Sequence, residues 1–362
     1  MNVFELIDMA GARNASDLNL VVGSPPLLRI YGVIQPIENL PPLTAGDVVE
    51  AFNQLTTDKE RDAFQEQMEL DFGYTLFGVG RLRCNAAQQL NGLSLAIRLL
   101  PPKIPTIDEL ELPQIYEELV QEPRGLILVS GPTDSGKTTT LATMVNHLNV
   151  IGGHYIVTIE DPIEYVHTSI KSAITQRELG RHTSSFARAL KHVLRQNPDV
   201  ILVGEIRDLD TAAAVLSIAE TGHLVLSTSH APSAPQAIER IVDMFPLYER
   251  HLSETRLASL LIAVVCQTLV PRANGLGRIA AVEIMLAIPP VRNLIREGKI
   301  HQLPNVIRTH RDIGMISLDE SLADFCLREI VTYETALAFC RDSGELAKLI
   351  YPGAETKKSK PR

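Results

Sequence analysis

The chain has 362 residues, of which 45% are hydrophobic and 21% charged, so it is long enough for two domains and too apolar for a disordered chain. Its formal net charge of −9 argues against a broad nucleic-acid groove, which requires clustered Lys and Arg. The four cysteines are scattered and include no Cys-x-x-Cys pair. This spacing argues against a structural zinc site and a disulfide framework, and predicts reduced thiols in the core.

The sequence shows neither a signal-peptide pattern nor a membrane-spanning stretch. The first residues lack a basic segment followed by an apolar run, so we predict no signal peptide. The longest apolar stretch, 257–271, is shorter than the roughly 20 residues of a membrane span and is interrupted by Ser259, Gln267 and Thr268. We interpret it as a buried helix followed by a buried strand, and expect no direct membrane insertion.

Residues 1–98 combine short helical and strand patterns. The predicted helices are 3–12, 45–55 and 58–67, and the predicted strands are 17–22, 27–33, 72–77, 80–86 and 94–99. This mixture favours a small α+β domain with one antiparallel sheet. Three prolines between residues 100 and 105 then indicate a semi-rigid linker, which we place at 99–113.

Residues 114–352 show a different pattern, in which continuous apolar runs alternate with helical segments. The runs at 125–130, 155–159, 200–203 and 224–227 are typical of strands buried on both faces of a parallel sheet. The predicted helices between them are 138–148, 186–195 and 210–220. We therefore predict a doubly wound α/β domain that becomes mostly helical from about residue 290, followed by a basic, disordered tail at 353–362.

Residues 131–138 match the phosphate-loop pattern G-x-x-x-x-G-K-[ST] completely and lie between a predicted strand and a predicted helix. The glycines let backbone N–H groups surround phosphates, and the helix N-terminus adds its positive end. We expect Lys137 to reach the β- and γ-phosphates of ATP and the Thr138 hydroxyl to bind Mg²⁺. A glycine turn that binds nothing is the alternative. The predicted nucleotide-binding residues are Gly131, Pro132, Thr133, Asp134, Ser135, Gly136, Lys137, Thr138 and Thr139.

Carboxylates follow two of the other predicted strands. Glu205 ends the run at 200–203, and we expect this strand to lie beside the phosphate loop so that Glu205 acts on Mg²⁺ through water. Glu160, Asp161 and Glu164 follow the run at 155–159, where a carboxylate could orient the attacking water. The alternatives are a plain buried strand in the first case and a solvated acidic turn in the second.

Two histidines, His223 and His230, bracket the predicted strand at 224–227. A histidine at a strand end can donate a hydrogen bond to a phosphate or to a catalytic carboxylate, although a packing role is the alternative for each. A metal site built on both is disfavoured because no nearby carboxylate or cysteine completes it.

These four blocks, in this order, resemble the secretion ATPase superfamily that powers type II secretion and type IV pili. The matching blocks are the Walker A loop 131–138, the acidic box 160–164, the Gly204-Glu205 form of Walker B and the histidine box 221–230. Within the superfamily, the segment Pro-Val-Arg-Asn-Leu-Ile-Arg-Glu at 290–297 is similar to a motif needed for retraction in the twitching-motility branch. The resemblance implies a RecA-like P-loop ATPase core with a small PAS-like N-terminal domain.

The resemblance also implies site residues, partners and a place in the cell. It implies a homohexamer that binds ATP and Mg²⁺ between the N-terminal domain of one subunit and the core of another. It makes Glu164 the catalytic glutamate and Glu205 the Walker B residue, with Arg81, Arg83 and His230 as further catalytic candidates. The expected partner is a pilus platform protein of the inner membrane, not nucleic acid, and the expected location is cytoplasmic, at the inner face of that membrane.

Three departures from the superfamily pattern leave the branch open. Asp134 stands where glycine is usual, Ser229 interrupts the usual Thr-Leu-His, and 330–338 resembles an accessory retraction paralogue. The alternatives to a retraction motor are a pilus-assembly or type II secretion motor, an accessory retraction ATPase and a DNA-translocating motor. A nucleotide-sensing scaffold without hydrolysis is an alternative of a different class.

Overall fold

The computed structural model describes residues 2–30, 32–76, 79–100 and 103–351. The chain divides into two compact units. The first unit comprises Met1–Ile104 and Pro162–His167, and the second comprises Pro105–Asp161 and Thr168–Arg362. The bounds 1–98, 99–113 and 114–352 stay a prediction. Pro101 and Pro102 of the predicted linker, Phe77 of a predicted strand and the predicted tail 353–362 lie outside the described residues.

The first unit contains one antiparallel sheet in the strand order β3-β2-β1-β6-β5-β4. In chain order its described elements are α1 (Val3–Ala12), β1 (Asp17–Val21), β2 (Leu27–Ile30), β3 (Val33–Pro36), α2 (Ala45–Leu55), α3 (Asp58–Gln67), β4 (Glu69–Leu76), β5 (Gly80–Gln89) and β6 (Gly92–Leu99). The α+β prediction is confirmed. The single strand predicted at 27–33 is wrong, because the backbone turns at Gly32 with φ of 83° and separates β2 from β3.

The core of the first unit lies between the helices and one face of this sheet. Leu82 and Cys84 of β5 belong to that core. Since successive side chains of a strand point to opposite faces, Arg81 and Arg83 lie on the other face of the same sheet. Burial raises the pKa of the Cys84 thiol to about 12, so this cysteine is a packing residue and not a nucleophile.

The second unit is built on a sheet in the order β13-β12-β7-β11-β10-β8-β9, parallel except for the antiparallel β13. Its described elements up to the last strand are α4 (Ile115–Leu119), β7 (Gly125–Ser130), α5 (Lys137–Ile151), β8 (Tyr155–Glu160), β9 (Ala173–Glu178), α6 (Phe186–Val193), β10 (Val200–Val203), α7 (Leu209–Glu220), β11 (Leu224–Ser229), α8 (Ala234–Asp243), α9 (Arg250–Leu260), β12 (Leu261–Pro271) and β13 (Arg278–Leu286). The predicted α/β core is confirmed, as is the helix followed by a strand within 257–271.

Helices then complete the second unit, as the sequence predicts. They are α10 (Pro289–Arg296), α11 (Leu303–Thr309), α12 (Leu318–Leu327), α13 (Tyr333–Phe339) and α14 (Ser343–Ile350). Short 3₁₀ turns precede or interrupt some of them. No helix within the described residues is both long enough and apolar enough to cross a bilayer.

The structure of the second unit differs from the sequence prediction in three further respects. The strand that ends before Glu205, β10, does not lie beside the phosphate-loop strand β7, because β11 is inserted between them. The strands β9 and β13 at the two edges of the sheet are absent from the prediction. The four cysteines form no disulfide, but Cys326 and Cys340 are only half-buried and are therefore not core thiols.

Candidate functional site

The phosphate loop begins where β7 ends, and every residue of β7 is buried. Gly131, Asp134 and Gly136 have φ of 143°, 60° and 86°. A Cβ at Gly131 would lie 2.7 Å from the Ser135 hydroxyl and still closer to the backbone oxygen of Gln267, so only glycine fits there. Asp134 is tolerated because Asp adopts the left-handed region more readily than most residues.

The Lys137 ammonium is folded over its own loop. Its Nζ donates hydrogen bonds to the Gly131 oxygen at 2.9 Å and the Pro132 oxygen at 2.7 Å. Lys137 is the first residue of α5 and is 8% exposed. The Ser135 hydroxyl, buried in the same loop, has no hydrogen-bond partner among the described residues. A buried cation, an unused donor and a helix N-terminus together form an anion-binding loop of the kind that holds phosphates.

Gln267 fastens this loop to the sheet and to α5, a role that the sequence analysis missed. It is 2% exposed on β12, its Nε2 donates to the Ser135 oxygen at 2.6 Å, and its Oε1 accepts from the Thr140 hydroxyl at 2.9 Å. The sequence did contain a signal, since a polar side chain inside an apolar strand must find partners when it is buried. In the sequence alone, Gln267 is visible only as an interruption of an apolar run.

Glu205 lies between a cation and a histidine. One carboxylate oxygen pairs with the Arg207 guanidinium, and the other lies 3.3 Å from Nε2 of His230. Arg207 Nη1 also lies 3.8 Å from Asp161 Oδ2. The hydrogen bond to Glu205 is the main cause that raises the pKa of Arg207 above its ordinary value. Residues of the Walker B segment, the histidine box and the acidic box therefore lie together around this carboxylate.

The two histidines lie at opposite ends of the strand β11. His230 follows β11 at its carboxyl end, and the next residue, Ala231, exchanges two hydrogen bonds with the Ser130 hydroxyl at the end of β7, at 2.6 and 3.1 Å. His223 precedes β11, and its Nδ1 lies 3.0 Å from the Thr221 hydroxyl at the end of α7. Of the two, His230 lies beside Glu205, whereas His223 is half-buried and lies within hydrogen-bonding distance of Thr221.

The three carboxylates of the acidic box have separate partners. Glu160 is buried and accepts hydrogen bonds from the Thr158 hydroxyl at 2.5 Å and Gln176 Nε2 at 3.2 Å. Asp161 faces Arg207, as described above. Glu164 belongs to the first unit, where its Oε1 lies 3.9 Å from Arg83 Nη1 and its side chain is 29% exposed. Glu164 is therefore the member of the three that is partly exposed and pairs within the first unit.

The residues predicted to serve Mg²⁺ are of the type that this ion prefers. Mg²⁺ takes oxygen ligands and retains several waters. The Thr138 hydroxyl in the first turn of α5 and the Glu205 carboxylate at the carboxyl edge of the sheet are both oxygen donors. Within the described part of the chain, no cluster of three or more His, Cys, Asp or Glu side chains could hold a separate metal ion.

Residues 78–311 match the Type II/IV secretion system protein family. Over 336 residues the chain is 44% identical to the type IV pilus retraction ATPase PilT of Pseudomonas aeruginosa, which covers 93% of this chain and 97% of that protein. It is 38% identical over 357 residues to the type IV pilus ATPase PilU of the same organism, covering 98% and 93% of the two chains.

A similar fold has been solved. The crystal structure of the pilus retraction motor PilT with bound ADP has a TM-score of 0.90 and 39% identity to this chain, covering 96% of this chain and 99% of that one.

Proposed function

Because the chain belongs to the Type II/IV secretion system protein family, we propose that it is an ATP-hydrolysing motor that drives type IV pilus retraction and twitching motility. The observation that carries the proposal is the carboxyl edge of the second unit's sheet. There β7 leads into the phosphate loop with Lys137, and β10 and β11 lead to the paired Glu205 and His230. Ligands of open α/β sheets bind at this edge. The similarity to PilT and PilU, both named as type IV pilus ATPases, supports the type IV pilus as the structure on which the proposed motor acts.

The reaction we propose is attack of water on the γ-phosphorus of ATP, with cleavage of the bond to the bridging oxygen and release of ADP and phosphate. Lys137 and the loop N–H groups bind the phosphates and stabilise the charge on the transferred group. Glu164 accepts the proton of the water or orients it. Bound Mg²⁺, held by Thr138 and through water by Glu205, would neutralise phosphate charge.

Assembly and location form the finer part of the proposal, and they rest on the resemblance. We propose a homohexamer that is peripheral at the inner face of the cytoplasmic membrane and acts on a pilus platform protein. Arg83, with 43% of its side chain exposed, is the candidate to reach a nucleotide bound by a neighbouring subunit.

The enzymatic part is tested by measuring phosphate release from purified protein. We expect Lys137→Ala to abolish nucleotide binding or turnover, and Glu164→Gln to bind ATP without hydrolysing it. Glu334→Gln, on an exposed position of α13, is the matched control and should behave as the native protein. Normal hydrolysis by Glu164→Gln would show that the acidic box is structural.

The direction of work is tested by deletion of the gene in the native host. Hyperpiliated cells that do not twitch are the expected result for a retraction motor. Cells without pili would instead support the alternative of a pilus-assembly motor. No phosphate release under any assembly condition would support the nucleotide-sensing scaffold.

A further inference from the structure

Arg81 is buried on a sheet face where charged residues are usually solvated. It is 7% exposed, although it lies on the face of β5 opposite the hydrophobic core that contains Leu82 and Cys84. A buried guanidinium requires hydrogen-bond partners, because leaving a charged donor unsatisfied is costly. The identity of those partners indicates what the side chain does.

The Arg81 guanidinium bridges its own sheet and the segment Pro162–His167. Its Nε donates to the Ile163 oxygen at 3.2 Å, and its Nη1 donates to the Thr75 hydroxyl on the neighbouring strand β4 at 3.1 Å. Segment Pro162–His167 belongs to the first unit, although its neighbours in the chain belong to the second. Since Ile163 directly precedes Glu164, the hydrogen bond holds the peptide that carries the glutamate.

Gly73 provides the space for this arrangement. It lies on the same face of β4 as Thr75, directly opposite Arg83. A Cβ built at Gly73 would lie only 2.5 Å from Arg81 Cζ, with a guanidinium nitrogen nearer still. The φ of Gly73 is not positive, so the backbone there would accept any residue. The glycine is therefore required by the Arg81 side chain and not by backbone conformation.

We propose that Arg81 is a positioning residue for Glu164, acting within one chain, and not an arginine that reaches the nucleotide of a neighbour. The inference rests on the proposed function for the role of Glu164. Through the Ile163 carbonyl, Arg81 fixes the backbone before Glu164 to the sheet of the first unit. Arg83, 3.9 Å from the Glu164 carboxylate, contacts the side chain itself. The glutamate is thereby carried by the first unit, whereas Lys137 is carried by the second.

The structural part is tested by chymotrypsin cleavage after Tyr165, a residue that is 8% exposed in the held segment. The measurement uses the full chain without nucleotide, so it is independent of any ATPase activity. Arg81→Ala should accelerate cleavage because the Ile163 carbonyl loses its donor. Gly73→Ala should do the same by displacing the guanidinium while leaving the charge in place.

Two control variants match these substitutions. Arg98→Ala removes an exposed arginine that lies opposite Arg83 on β6, and Gly11→Ala adds a methyl group to an open position of α1. Both should leave cleavage after Tyr165 unchanged. Native-like cleavage in both Arg81→Ala and Gly73→Ala, with native circular dichroism, would overturn the proposal.

The kinetic part separates positioning from contact with nucleotide. Misplacement of a catalytic group by about 1 Å can reduce turnover roughly 100-fold. We therefore expect kcat to fall roughly 10- to 100-fold in Arg81→Ala and Gly73→Ala. The Kd for a fluorescent ATP analogue should stay within about twofold of the native value, because a group that acts on the chemical step alone contributes little to ground-state binding. A selective loss of nucleotide affinity with unchanged cleavage would show that Arg81 contacts the nucleotide, and would overturn the proposal without affecting the proposed function.

Discussion

The side chain of Gln267 connects three elements that the phosphate-loop motif itself does not mention. Its amide joins the loop at Ser135 and α5 at Thr140, and its backbone oxygen lies close to Gly131. At the residue scale, the shape of the loop thus depends on a strand that lies about 130 residues further along the chain. The same separation sets the entropic cost of closing the chain to form this contact. Because the loop is already ordered in this way, phosphate binding has a lower entropic cost.

We predict that Gln267→Leu weakens nucleotide binding and lowers stability. The substitution keeps the volume but leaves the Ser135 oxygen without its donor, a loss of about 1–3 kcal/mol in the free energy of unfolding. Affinity for a fluorescent ADP analogue should fall roughly fivefold, equivalent to about 1 kcal/mol. Thr268→Val, the next position on β12, is the control and should change neither quantity. Native affinity in Gln267→Leu would contradict a role for the amide in shaping the loop.

Asp134 is the residue at which this phosphate loop departs most from its pattern. Its φ is 60°, which lies in the left-handed region. Asp134 does not cap α5, because the N-cap is Gly136 and no side chain bonds the helix start. The carboxylate therefore adds a negative charge to a phosphate site, and no stabilising helix cap offsets the resulting repulsion.

We predict that Asp134→Gly tightens nucleotide binding, more strongly in low salt. Repulsion between unit charges at about 4 Å is of order 1 kcal/mol in water, and screening by salt reduces it. Asp134→Asn is the matched variant, because Asn also tolerates positive φ and lacks the charge. Titration of a fluorescent ADP analogue at two ionic strengths should show a similar gain for both variants. Unchanged or weaker binding in both would mean that the carboxylate points away from the phosphates.

At the element scale, the helix α10 holds the end of α9. Arg292 Nη1 donates to the Ala258 and Ser259 oxygens at 2.6 and 2.7 Å, which are among the last carbonyls of α9. A cation at a helix C-terminus also interacts favourably with the helix dipole. Val291 and Ile295 are fully buried, whereas Leu294 is partly buried against the same core. Ile295 therefore packs fully into the core, whereas Leu294 does so only in part.

We predict that Arg292→Ala separates ATP hydrolysis from motility. The α9 carbonyls lose their donor, so the α9–α10 connection loosens, but none of the groups around the phosphate loop changes. Most phosphate release should remain while twitching is lost, measured on purified protein and on cells that carry the variant. Lys299→Ala, an exposed position just after α10, is the control. Equal loss of both activities would show that α10 is only part of the core.

At the scale of the whole molecule, the residues proposed for turnover are divided between the two units. Lys137, Glu205 and His230 belong to the second unit, whereas Arg83 and Glu164 belong to the first. In the proposed mechanism, turnover therefore requires residues of both units. In the proposed hexamer, the first unit of one subunit would supply Arg83 to the nucleotide held by another.

We predict that mixed rings regain activity lost in each parent. Arg83→Ala subunits keep the phosphate loop, and Lys137→Ala subunits keep the arginine, so an interface that contains one of each has both groups. Phosphate release should recover partially after mixing, with subunit exchange followed by native mass spectrometry. Each variant mixed with a tagged copy of itself is the control. Exchange without recovery would count against action of Arg83 across an interface.

Some features of the fold follow from neighbouring residues alone, and these were predictable. The apolar runs at β7, β10 and β11 are buried throughout, as continuous hydrophobic runs in parallel strands must be. The edge strand β9 was missed because it is only partly buried and lacks such a run. The other edge strand, β13, is largely buried, but Glu283 interrupts its apolar sequence. Turn chemistry explains the error at residues 27–33, where Gly32 separates two strands of similar composition.

The sequence by itself determined where the phosphate loop lies, because the eight residues 131–138 are contiguous and match the motif completely. It also determined the fold class, since strand and helix periodicities are local. Only the tertiary structure decided which groups surround each carboxylate and what Arg81 and Gln267 do. The bonds from Arg81 to Ile163 and from Gln267 to Ser135 join residues 82 and 132 positions apart. Such contacts depend on the strand order of the sheets, which no local pattern encodes.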